Sequence, residues 1–142
     1  MRALLDVNVL IALLDADHAS HASAMQWFAA NGKGGWASCP ITQNGCIRVM
    51  AHPGYPNPFP VAALVERLGE AAAHPQHEFW PDDASVLDPG MVDPARIHGP
   101  NQLTDVYLLA LAVKHRGRLV TFDKSIALEA ARGAQKRHLL VI

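Results

Sequence analysis

Residues Val106 to Val113 form an unbroken apolar run, and at helical spacing such a run is apolar on every side. A helix of that kind cannot lie on a surface, so Thr104 to Arg116 is expected as a central buried helix ended by Gly117. The strands predicted around it are short: ALLD at 3–6, GWASC at 35–39, HEFW at 77–80, RLVTF at 118–122 and HLLVI at 138–142. Most are continuously rather than alternately apolar, the pattern of strands covered on both faces. Helical spacing fills the intervals. VNVLIALL follows the first strand, and Ala22, Met25, Phe28 and Ala29 mark a helix over 19–31 that Gly32 stops. Pro40 suits the first turn of a helix running to about Ala51. Val61–His74 and Lys124–Ala131 read as further helices. This alternation predicts an α/β chain, a three-layer α/β/α arrangement around a central, mostly parallel sheet. With 142 residues, half of them apolar, one domain spanning 1–142 has enough material for a single core.

Two stretches resist regular structure. PGYPNPFP at 53–60 holds four prolines in eight residues and is expected as a loop or flap, and Pro81 to Pro100 as a long irregular connection around a functional rim. Cys39 and Cys46 lie seven residues apart on a mostly helical segment, about 10 Å apart, and are expected as buried free thiols. No apolar run reaches the length of a membrane span, and acids flank the short N-terminal apolar stretch, so the chain is expected in the cytoplasm. Net charge is −1, unevenly spread: residues 1–95 carry four basic and ten acidic side chains, residues 96–142 eight basic and three acidic. A local basic face is therefore compatible with a nucleic-acid partner, and so are ordinary solvated helix faces.

In a parallel sheet, loops and helix N-termini converge at the carboxyl ends of the strands, where ligands bind. Asp6 closes the first strand, Asp123 closes the strand at 118–122, and Asp105 lies in the first turn of the central helix. Singly, each has a plain structural explanation, as a helix cap or as an acid that complements a helix dipole. Gathered at one edge they repel, raise one another's pKa, and need a cation to remain ionised together. Hard oxygen donors, without a third cysteine or a histidine cluster, point to Mg²⁺ or Mn²⁺ rather than zinc.

Read in order, LLDVNVLIALL, CPITQNGCIRV, HPGYPNPFP, LTDVYLLALAVKHRG and LVTFD resemble the PIN-domain ribonucleases, in particular the VapC-type toxins of bacterial toxin-antitoxin pairs. The likeness runs from end to end. LLDVNVLIAL and LTDVYLLALA, followed by LVTFD, are specific together and weak alone. The resemblance implies a single PIN-like domain in which Asp6, Asp105 and Asp123 match three of four acidic positions around a metal. The fourth, commonly a glutamate on the helix after the second strand, is Gln43 here. An amide offers one carbonyl oxygen but no charge and no basicity. Gln43 is otherwise a surface residue of an amphipathic helix.

The chemistry implied by the resemblance is metal-assisted hydrolysis of an RNA phosphodiester, with the 3′ oxygen leaving. Asp6 and Asp105 would be direct ligands, Asp123 direct or through water, and Gln43 a weak holder of a water or second metal. Asn8 and Thr121 either brace that shell or are a helix cap and a strand residue. The implied partners are an RNA substrate, a second copy in a homodimer, and a small antitoxin. The antitoxin's arm would cover the acids in an apolar groove walled by helices Val7–Leu14 and Ile41–Met50. An inactive PIN-like module that binds antitoxin or RNA without cutting is the alternative that Gln43 keeps open. A phosphorylated receiver domain fits less well, because Asp6 lacks an acidic neighbour and no lysine follows the last strand.

Phosphate contacts are expected from Arg48, Arg96, Lys124 and Arg116, in that order. Tyr55 and Phe59 in the proline-rich loop are the better candidates for stacking on bases, and Trp36 and Trp80 for the core. His98 reads as an exposed loop residue. Asp15, Asp17, His18 and His21 look superficially like a metal cluster, yet Asp17 before a helix reads as a cap. No P-loop, G-x-G-x-x-G or G-x-S-x-G motif occurs.

Overall fold

The computed structural model describes Met1 to Ile142 and contains a five-stranded sheet in which every neighbouring pair is parallel. In chain order the strands are β1 (Ala3–Leu5), β2 (Trp36–Ser38), β3 (His77–Phe79), β4 (Arg118–Thr121) and β5 (Leu139–Val141), arranged β3-β2-β1-β4-β5. The helices are α1 (Val7–Leu14), α2 (His21–Asn31), α3 (Pro40–Ala51), α4 (Val61–Ala72) and α5 (Leu103–Lys114). No helix is long and apolar enough to cross a membrane.

Side chains alternate across β1, and that alternation builds two cores. Leu4 joins Ala37, Leu119 and the buried run Val106–Ala112 of α5 on one face, whereas Ala3 and Leu5 join Trp36, Val120 and the inner sides of α1, α3 and α4 on the other. This is the expected three-layer arrangement. Trp36 and Trp80 are both buried, as are the free thiols of Cys39 and Cys46. At Gly117, a Cβ would lie 2.6 Å from both the Arg2 carbonyl oxygen and the Trp80 ring, so α5 can return into β4 only through a residue without a side chain.

One expectation needs correction. Lys124–Ala131 is not an α-helix and contains only a 3₁₀ turn at Leu128–Ala130. Its backbone groups pair sideways instead: Asp93 N–H donates to the Ala130 carbonyl at 2.8 Å and Arg132 N–H to the Met91 carbonyl at 2.8 Å, with a bridge between Val92 and Ala131. The 53–60 segment is a loop, as expected, and it is tied down: Phe59 N–H donates to the Met50 carbonyl, and Tyr55 and Phe59 pack against the core. An apolar cleft lies between α1, α2 and α4, lined by Leu10, Leu13, Met25, Phe28 and Leu68. α1 and α3 touch at Val7 and Gly45, and Leu14 of α1 and Met50 of α3 line a smaller apolar pocket with Phe59 and Leu64.

Candidate functional site

β1 and β4 are adjacent and parallel, so Asp6 and Asp123 emerge at the same carboxyl edge. α5 runs back against the sheet, with its far end returning to the amino edge at Gly117, and this brings Asp105 in its first turn to that edge as well. Asp6 caps α1. Its Oδ1 accepts from Val7 N–H at 2.7 Å and its Oδ2 from the Thr121 hydroxyl at 2.7 Å. The Thr121 oxygen also accepts from Asp123 N–H at 3.0 Å and from Asn8 Nδ2 at 3.2 Å, while Asn8 Oδ1 accepts from Phe122 N–H. Asn8 and Thr121 therefore tie the two strand ends into one loop pair. Ser125 is a residue that the sequence pattern does not single out. Its N–H and hydroxyl both donate to Asp123 Oδ1, at 2.7 and 2.6 Å. The local D-K-S spelling, an acid two residues before a serine, carries that signal.

The three acids are electrostatically coupled. Burial, then the charge of Asp6 and a hydrogen bond with Asp123, push Asp105 up to about 7. The Ser125 bonds hold Asp123 below the usual carboxylate range, so the proton between these two resides on Asp105. Asp6 is raised, chiefly by burial, although its bond from Thr121 opposes the shift. No three acidic, imidazole or thiol side chains already converge at metal-ligand distance, because Asp6 is turned onto Thr121 and Asp123 onto Ser125. The donor set nonetheless suits a hard dication. It consists of carboxylate oxygens only, and a proton held at about 7 marks the position where positive charge is favoured.

Gln43 stands near the start of α3 at the same edge, one strand over from Asp6, and its Nε2 donates to Ser38 Oγ at 2.9 Å. It makes no hydrogen bond to the aspartates. Among the basic candidates, Lys124 adjoins Asp123 and is exposed, and exposed Arg48 lines a shallow groove with His52 and Tyr55. Arg96 is exposed, its guanidinium 4.0 Å from Asp93. Arg116 is placed elsewhere: it follows the C-terminal end of α5, at the opposite edge, roughly 16 Å along the helix from Asp105, and cannot join this site. Tyr55 is half-buried in the lining of that groove, and its hydroxyl donates to the Asp15 carboxylate. His98 is exposed, as expected. The Asp15–His21 segment is held by local bonds: Asp15, rather than Asp17, accepts at the turn from Asp17 N–H at 3.0 Å, and His21 Nδ1 meets the Ala12 carbonyl at 2.7 Å.

Residues 3–132 match the PIN domain family. The chain is similar to ribonuclease VapC44 of Mycobacterium tuberculosis, at 54% identity over 142 residues covering the whole of both chains. It is also similar to ribonuclease VapC39 of the same organism, at 38% identity over 134 residues, 94% of this chain and 96% of the relative. A crystal structure of VapBC2 from Rickettsia felis bound to a DNA fragment from their promoter superposes with a TM-score of 0.53, covering 87% of this chain and 89% of that one. At 16% identity, that likeness shows a shared fold alone.

Proposed function

The chain belongs to the PIN-domain family, in its VapC ribonuclease group, and from that membership we propose that it is a metal-dependent endoribonuclease toxin that hydrolyses RNA phosphodiester bonds. What supports the reading is the placement of Asp6, Asp105 and Asp123 at one carboxyl edge, where burial and the neighbouring acids push Asp105 up to about 7. Asp6, Asp105 and Asp123 would hold Mg²⁺ or Mn²⁺, with Gln43 an uncharged oxygen donor beside them. Such an ion supplies a water of lowered pKa and offsets charge building on the phosphoryl oxygens.

The protein's own part is to preorganise. Thr121 and Asn8 fix Asp6 and the Asp123 loop relative to each other, and Ser125 keeps Asp123 ionised. Lys124, exposed beside Asp123, is placed to meet RNA phosphates, while Arg48, in the last turn of α3 and about 12 Å along that helix from its start, and Arg96, on the connection before α5, would meet the RNA farther out. An antitoxin is the proposed protein partner. Its apolar arm would lie in the cleft between α1, α2 and α4, and the toxin would act in the cytoplasm as a homodimer.

The test is cleavage of structured RNA by the purified chain with and without Mg²⁺, beside Gln43→Glu and Asp6→Ala. Weak activity is expected in the parent chain, more with the added carboxylate, and none with Asp6→Ala. Equal activity in all three refutes the assignment. A parent chain and Gln43→Glu variant that both bind RNA without cutting it favour the alternative of a non-catalytic binding module.

A further inference from the structure

Ser38, the last residue of β2, is fully buried, and its hydroxyl joins two side chains far apart in sequence. Gln43 Nε2 lies 2.9 Å from Ser38 Oγ, and His77 Nε2 lies 2.8 Å from it on the other side. A hydroxyl has one proton to give, so the direction of this chain of bonds is a chemical question. It is answered from the amide end. Gln43 Nε2 can only donate, so Ser38 accepts from it and has its own proton left for His77. His77 Nε2 then receives that proton and the ring's own proton sits on Nδ1. Burial holds His77 below the usual imidazole range, so the ring is neutral and Nε2 presents a lone pair.

The Gln43 amide thus stands with its NH₂ end toward Ser38. Its carbonyl oxygen Oε1 points away from β2. That oxygen has no protein donor and is not among the buried unpartnered atoms, so it keeps access to solvent at the carboxyl edge.

We propose that Ser38 and His77 are positioning residues: the relay Gln43 to Ser38 to His77 holds the Gln43 amide with its carbonyl oxygen outward, as a fixed uncharged acceptor for the hydrated divalent cation of the acidic site. This rests on the metal-site reading under Proposed function. It also means that these supports fit an amide at position 43, which has a proton to donate, and not a carboxylate. A carboxylate at position 43 has no proton to give to Ser38. The serine would turn its own proton toward the carboxylate, and His77 Nε2 would then face a lone pair until it acquired a proton of its own.

The relay is tested by long-range ¹H–¹⁵N spectra of the full chain labelled at histidine. His77 is expected as the neutral ring protonated on Nδ1 in the parent chain and in Gln43→Met, and protonated on Nε2 in Gln43→Glu. An Nε2-protonated His77 in the parent chain, or an unchanged His77 in Gln43→Glu, overturns the relay. A second measurement reads its consequence at the metal. Mn²⁺ titration followed by electron paramagnetic resonance should weaken about tenfold in Ser38→Ala and in His77→Phe. Ser38→Thr, which keeps the hydroxyl, should restore most of that loss, and equal affinity in Ser38→Ala and the parent chain counts against a positioning role. If the parent chain binds no Mn²⁺ at all, the metal reading fails, while the histidine spectra still decide the relay.

Discussion

Tyr55 shows how one hydroxyl redefines a residue. By composition, the proline-rich loop 53–60 offers aromatic rings to a nucleic acid, yet the Tyr55 hydroxyl is committed to Asp15, a carboxylate buried at the end of α1. That bond is the leading reason Asp15 sits below the usual carboxylate range. Tyr55→Phe should therefore cost about 1.5–3 kcal/mol at neutral pH, as expected for a lost bond to a charged group, measured by urea unfolding. The sign with pH is that of a depressed acid. The stabilisation is present above the ordinary carboxylate range and is lost as pH falls, so parent and variant should converge in acid. A variant as stable as the parent at pH 7 would falsify this account of Asp15. Thr121 is a second such residue, since its single oxygen gives one hydrogen bond to Asp6 and accepts two from the Asn8 and Asp123 side. The aspartates and their candidate braces Asn8 and Thr121 were legible as sequence features, but Ser125, Ser38 and His77 gain meaning only from their neighbours.

At the scale of elements, the position of the acids depends on how closely α3 can approach α1. A Cβ on Gly45 would stand 2.7 Å from Val7 Cγ2, the residue next after Asp6. Gly45→Ala should cost roughly 1–3 kcal/mol through overpacking and push the first turn of α1 off its place. Val7→Ala in the same chain should recover much of that loss, so a thermal-melting double-mutant cycle in which the two changes simply add would exclude direct contact as the cause. Helices with strong local spacing, α1, α3, α4 and α5, were readable to within a few residues. The segment after Asp123 was not. Its apolar residues Ile126, Ala130 and Ala131 are spaced as a helix would space them, but they are buried by a chain that pairs with residues 91–93. Periodicity reports which residues are buried, not which backbone partner satisfies them.

For the whole molecule, the acidic edge costs stability at neutral pH. Asp105 is pushed up to about 7, so the protonated form is favoured by the fold. That contribution is complete below the ordinary carboxylate range and is lost as pH rises toward 7. In the metal-free protein, Asp105→Asn should thus raise stability at pH 8 by about 1 kcal/mol, discounted for the solvent around a partly exposed carboxyl, and change it little at pH 4. Mg²⁺ should raise the melting temperature of the parent chain at pH 8 and leave that of Asp105→Asn nearly unchanged. Scanning calorimetry at the two pH values checks both statements, and a parent chain indifferent to Mg²⁺ would sink the cation reading of this edge. The sequence alone determined that short, largely apolar strands alternate with helices, and that three acids stand at strand or helix ends, because burial and chain direction repeat with a period written in the residues. The folded chain alone decided that Arg116 lies at the far edge, that Tyr55 is tied to Asp15, and that Gln43 is held through Ser38 and His77. A hydrogen bond between residues tens of positions apart depends on where the sheet brings their atoms, and no local pattern encodes that.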